Sequence, residues 1–229
     1  MADNKYLQQL PLFSGLSDEE IAEIASSIIR KAIRKKETIF SEGDPSNWFC
    51  IIFKGKVKIT KLSHDGKEII LELISPGEFF GGFAVLKGFP YPANAIAMQD
   101  SEIILISRHN LMRIIERFPN IMYDITANLG ERVREFHDTL KNIALERVES
   151  RIAALLLKLA EKTGEKSASG EIAIAMGLTK QDIAEMVGTT VETSIRVISR
   201  FRKSGFVKEV NGKIIIRDLG ALKSIVDPQ

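Results

Sequence analysis

Glycines at 43, 55, 66, 77 and 81–82 cut the first half of the chain into short segments of alternating residues. "VKITKL" and "EIILELI" alternate apolar with polar positions, as half-buried strands do. Between them "SHDGKE" carries Asp65-Gly66, a strong hairpin signal. Short strands at this spacing predict a closed or double-sheet antiparallel fold, a double-stranded β-helix of jelly-roll type. One helix precedes it at "LSDEEIAEIASSI", where Ser17 and Glu20 form a capping box.

The period then changes. From about Ile121 to Leu145 the pattern is helical, and Val133, Phe136, Leu140 and Ile143 make an a/d seam. Arg132, Arg134, Glu135, Asp138 and Lys141 fall at outer positions. The helix is too long for one small domain to cover, so self-pairing into a homodimer is expected. A third segment follows: an amphipathic helix, "VESRIAALLLKLAEK", a polar stretch read as a loop, "TGEKSASGE", and a short apolar strand, "IAIAM".

The end of the chain carries the chemistry. Thr179 and Asp182 form a capping box, Ile183, Ala184 and Val187 line one face, and Gly188 stops the helix. A second helix runs from about Thr190 to Lys203. "VKEVNGKIIIRD" then reads as a hairpin around Asn211-Gly212. Two helices, a glycine turn and a β wing predict a winged helix-turn-helix, whose second helix enters the major groove of double-stranded DNA. Glu192 can accept from a cytosine amine and Arg196 can fork onto guanine. Val191 and Ile195 can meet thymine methyls. Thr190, Thr193, Lys180, Arg200 and Arg202 can reach phosphates. The structural alternative is a solvated helix with a Glu192–Arg196 pair.

Charge agrees with that placement. Residues 1–146 hold 18 Lys and Arg against 20 Asp and Glu, and residues 147–229 hold 14 against 10, within a formal net charge of +2. The C-terminal third is therefore the basic part, as phosphate contact requires. No apolar run reaches the roughly 18 residues of a membrane helix, and "MADNKYLQQLPLF" lacks the core of a signal peptide, so no membrane association and a cytoplasmic location are expected. The single cysteine, Cys50, lies in apolar "NWFCIIF" and reads as a buried hydrophobe. One thiol is too few for an iron–sulfur cluster.

On these residues the chain resembles the CRP/FNR superfamily of bacterial transcription regulators. "IFSEGDPSNWFCIIFKGKVKITKLSHDGKEIILELISPGEFFGG" resembles the cyclic-nucleotide-binding β-roll, and "TKQDIAEMVGTTVETSIRVISRFRKSGFV" resembles the family's recognition motif. "VETSIR" is similar to the fumarate–nitrate branch at Glu192 and Arg196; Ile195 stands where that branch has Ser, and Val191 where cyclic-AMP receptors have Arg. The resemblance implies an effector domain over 1–118, a dimerisation helix over 119–146 and a DNA-binding domain over 147–229. It also implies a homodimer, an inverted-repeat DNA site and contact with RNA polymerase.

The resemblance places an effector pocket at Phe79, Gly81, Gly82, Phe83, Pro92, Ala93, Asn94, Val133, Phe136 and His137. Cyclic-AMP receptors have a ribose-binding Glu where this chain has Gly82, and a phosphate-binding Arg where it has Pro92. Two adenine-contacting hydroxyl residues correspond to Phe136 and His137. The expected effector is therefore not cyclic AMP but something apolar or haem-like, unless the pocket is gated without a ligand. Some family members bind haem, which makes His137 a candidate ligand; His64 and His109 fall in a turn and at a helix start. No metal site is otherwise expected. Rival readings are a cupin-type enzyme, which needs clustered His and Glu, and a nucleotide-gated scaffold that never touches DNA. No His-x-His pair, phosphate loop or activated nucleophile occurs in the sequence, so no catalysis is expected.

Overall fold

The computed structural model describes residues 2–167, 170–174, 177–210 and 212–227. The chain divides into two compact units, Met1–Arg134 and Glu135–Gln229. The first begins with α1 (Ala2–Gln9), a 3-10 turn and α2 (Asp18–Ala25). Strands β1 (Ile28–Ile33), β2 (Thr38–Phe40), β3 (Trp48–Lys54), β4 (Val57–Leu62), β5 (Glu68–Ile74) and β6 (Phe79–Phe80) follow. Next come α3 (Gly82–Lys87), β7 (Asn94–Ala97), β8 (Ser101–Ser107), α4 (Arg108–Arg117) and the start of α5 (Asn120–Leu145).

The strands form two four-stranded antiparallel sheets, ordered β1-β8-β3-β6 and β2-β7-β4-β5. Strands β3 and β8 explain the layering. Cys50, Ile52, Ile103 and Leu105 face the second sheet and join one core cluster. Phe49, Ile51, Ile104 and Ile106 point the other way, into a cluster with α1, α2, α4 and Ile121 and Ile125 of α5. Both faces are covered, which is why "FCII" and "IILI" read as continuous apolar runs rather than alternating ones. The hairpin between β4 and β5 forms as expected, with a different turn. Gly66 donates to the Ser63 carbonyl at 3.0 Å and has φ +79. His64, Asp65 and Gly66 thus make a three-residue loop in which the glycine takes the left-handed position. Ser17 and Glu20 cap α2 reciprocally, as predicted.

The second unit holds the end of α5, α6 (Val148–Thr163), β9 (Gly164–Lys166), β10 (Ile172–Ile174), α7 (Lys180–Val187), α8 (Val191–Lys203), β11 (Val207–Val210), β12 (Lys213–Ile216) and α9 (Leu219–Val226). The stretch read as a polar loop is in part a strand: β9 pairs with β10, Lys166 opposite Ile172. Its pairing is a backbone matter that a polar composition hides. Strands β11 and β12 form the wing, with Val210 opposite Lys213. Of the predicted turn pair, Asn211 lies outside the described residues, and Gly212 has φ +74. The last residues of the predicted "IAIAM" strand lie outside them too. Among the described residues no helix is long and apolar enough to cross a membrane.

Candidate nucleic-acid interface and effector cavity

In the second unit the helix-turn-helix is assembled by caps. Thr179 accepts from the Asp182 amide at 3.1 Å and Asp182 accepts from the Thr179 amide at 2.8 Å. Gly188 ends α7 at φ 65, ψ 54, and Thr190 caps α8 by accepting from the Thr193 amide at 3.2 Å. Ser194, Val197, Ile198 and Phe201 bury one face of α8. Glu192, Ile195, Arg196 and Arg202 are exposed, Val191 and Thr193 half-buried. The predicted base-reading residues are thus brought together on the open N-terminal half of the helix. Among the described residues Glu192 and Arg196 form no ion pair with each other.

The predicted phosphate contacts divide. Arg202 is solvent-facing. Arg200 is held by Glu149 of α6 at 2.7 Å, and Lys180 is paired with Glu209 of the wing. The Thr190 hydroxyl, besides capping, donates to that of Thr193 at 3.1 Å. Lys180 and Arg200 therefore brace the domain, a role that spacing along the sequence cannot reveal because both partners come from other elements.

In the first unit a cavity of about 130 Å³ lies at the segment between β6 and β7, residues 81–93, called the cassette below. Phe79, Gly81, Gly82, Phe83, Pro92 and Ala93 line it, as predicted. Asn94 does not: its amide accepts from the Glu42 amide at 2.9 Å and ties two loops. From α5 the lining comes from Leu129 and Arg132, one helical face with Ile125. Val133, Phe136 and His137, placed in the pocket by the resemblance, are exposed instead.

Two charged lining residues went unread in the sequence. Arg132, taken there as an outer position, is half-buried; its Nε lies 3.2 Å from the Glu72 carboxylate, its guanidinium donates to the Phe79 carbonyl, and it sits 5.2 Å from the Phe79 ring centroid. Both had a signal. Glu72 shares its parity on β5 with buried Ile70 and Ile74, and Arg132 continues the stripe of Ile121, Ile125 and Leu129. The cavity is thus not stripped of polar groups: it holds a neutralised ion pair in an aromatic wall. The wall itself is fixed. Tyr91 stacks on Phe40 at 3.7 Å, and its hydroxyl donates to the Trp48 carbonyl at 2.7 Å. Burial pushes its pKa up to about 12. A Cβ on Gly82 would lie 2.9 Å from Phe49, and one on Gly81 3.1 Å from Tyr91.

Haem does not fit these residues. The lining offers no imidazole, thiolate or thioether, the one phenol is spent on the Trp48 backbone, and His137 is exposed. Cys50 is fully buried, and burial pushes its thiol pKa up, so it behaves as the apolar residue the sequence suggested.

A β-roll holding a cavity, followed by a long helix and a winged helix-turn-helix, defines the class of a DNA-binding regulator. Residues 30–118 match the cyclic nucleotide-binding domain and residues 150–225 the Crp-like helix-turn-helix domain. The chain is 28% identical over 215 residues to the cyclic AMP receptor protein of Thermus thermophilus, covering 94% of this chain and 96% of that one. It is 26% identical over 220 residues to the fumarate and nitrate reduction regulatory protein of Salmonella typhi, covering 96% and 87%. A CooA variant from Carboxydothermus hydrogenoformans shares the fold, with a TM-score of 0.81 at 24% identity over 96% of this chain and 98% of that one. The chain belongs to the CRP/FNR family of transcription regulators.

Proposed function

We propose that this regulator acts as a homodimer on an inverted-repeat DNA site, and that its effector is not a cyclic nucleotide. The working parts are an effector domain over 1–118, a dimerisation helix over 119–146 and a DNA-binding domain over 147–229, with RNA polymerase as the partner of the bound dimer. Glu192 and Arg196 read bases, Val191 and Ile195 meet methyl groups, and Thr193 and Arg202 position the backbone. The observation that carries the DNA reading is the open face of α8. Its buried face is satisfied by the domain core, while Glu192, Ile195 and Arg196 project into solvent. Sequence selection from random duplexes tests it: a site with two-fold symmetry and specific retention is expected, and unselective or absent binding overturns it.

The effector reading rests on the cassette. A cyclic phosphate carries a full charge whose burial needs a guanidinium or converging N–H donors. Pro92 has neither a charge nor an amide hydrogen. Arg132, the guanidinium lining the cavity, is held by Glu72 and the Phe79 carbonyl. A phosphate there must displace a carboxylate of its own sign. At position 82 a ribose-binding side chain would meet Phe49. The Thermus relative is a cyclic AMP receptor protein, and this chain departs from the cyclic-AMP receptor pattern at Gly82 and Pro92. Calorimetric titration with cyclic AMP and cyclic GMP should give no binding at micromolar concentration. Tight binding that also raises DNA affinity overturns this part and leaves the DNA reading standing.

A further inference from the structure

A second cavity, about 320 Å³, opens at the mouth of the β-sandwich. The Phe40–Tyr91 stack lines both it and the cassette cavity, one on each side. Register puts its floor together. Lys31 pairs with Ile103 across β1 and β8, and Cys50 with Leu105 across β3 and β8, all on the face turned to the other sheet. Ile39 closes it from β2, and the ring of Trp48, 36% exposed, stands at the rim.

The chemistry at the rim is asymmetric. Asp44 also lines the mouth, where one of its carboxylate oxygens accepts from the Ser41 amide at 2.7 Å. The Lys31 side chain has no ion pair or hydrogen bond among the described residues. An apolar floor, aromatic walls and one unpaired ammonium are what a small amphiphilic anion needs. We propose that this mouth is a second ligand site, taking a monocarboxylate whose apolar body lies on Ile103, Leu105 and Phe40 and whose carboxylate meets Lys31. The site is separate from the cassette cavity and does not depend on what that cavity binds.

Trp48 is the single tryptophan of the chain, so its emission reports this mouth alone. The full-length protein is titrated with octanoate and with 1-octanol. Octanoate is expected to change the emission saturably. Lys31→Gln should weaken octanoate about fivefold, the scale of an exposed ion pair, and leave 1-octanol unaffected. Ile39→Phe, which fills the mouth, should abolish both responses. An unsaturable response, or one that survives Ile39→Phe, overturns the site. An unchanged octanoate-to-octanol ratio in Lys31→Gln overturns the ligand class, and that arm decides alone if Ile39→Phe fails to fold.

Discussion

Arg196 and Arg202 sit less than two turns apart on α8, yet the proposed reading assigns them to different parts of a duplex. Arg196 lies in the half that leads into the groove, where a bidentate contact to guanine discriminates between bases. Arg196→Ala should therefore cost about 1–3 kcal/mol on the selected site and relax preference at one G·C pair. Arg202→Ala should weaken every sequence alike and lower the salt slope by about 1. Competition binding on matched and mismatched duplexes at two salt concentrations separates them, and a uniform loss in both variants would show the assignment to be wrong. Arg200→Ala should have less effect than Arg202→Ala on that slope, because Arg200 already spends its charge on Glu149. The shared open face of Glu192, Ile195 and Arg196 was legible because helical spacing alone puts them together. The ion pairs of Lys180 and Arg200 were not legible because their partners, Glu209 and Glu149, lie 29 and 51 residues away. Arg132 was misjudged for a related reason: a residue beside one seam belongs to the neighbouring stripe, and only the packing decides which stripe is buried.

At the scale of elements, signals local in sequence survived best. The capping box of α7, the stop at Gly188 and the cap of α8 are each set within four residues, and all three form. Thr179→Ala should lower the stability of the DNA-binding unit by about 1 kcal/mol, read from its denaturant midpoint. Gly188→Ala meets only ordinary van der Waals contact, Ile143 at 3.9 Å and Arg151 at 4.0 Å. Its penalty comes from the left-handed backbone instead, about 1–2 kcal/mol. A loss much beyond that would mean that steric contact, not φ, governs the turn. Elements whose formation depends on distant pairing were less legible. Strand β9 looks like loop because its residues are polar and its partner does the ordering. Helix α9 carries an Asp218 cap accepting from the Ala221 amide at 2.8 Å, a signal present in the sequence but overshadowed by the wing beside it.

For the whole molecule, the decisive surface is the seam of α5. Val133, Phe136 and Leu140 are 54%, 55% and 54% exposed, and Ile143 is 37% exposed. Contiguous large apolar side chains left in water at a 3-4-3 spacing are costly on a monomer, at roughly 25 cal/mol per Å² of apolar surface. The same spacing is what a partner helix interdigitates with. The fold itself was legible from the period changes, from two to the helical and back, whereas the effector was not, since a pocket is a property of side chains gathered from β2, β4, β5, β6, α3 and α5. The proposed dimer rests on periodicity and exposure together, and its consequence reaches the DNA. A two-fold dimer presents two copies of α8, so its half-sites should lie about one helical turn, roughly 34 Å, apart. Replacing Phe136 and Leu140 together by Glu puts like charges into the seam without touching α8 or the cassette. Sedimentation should then change from dimer to monomer at micromolar concentration, with an unaltered circular dichroism spectrum. Affinity for the inverted repeat should fall to that of the isolated half-site. If the double variant stays dimeric, the seam is not the interface; if it becomes monomeric and still binds the full site as tightly, the site is not read by two copies of α8.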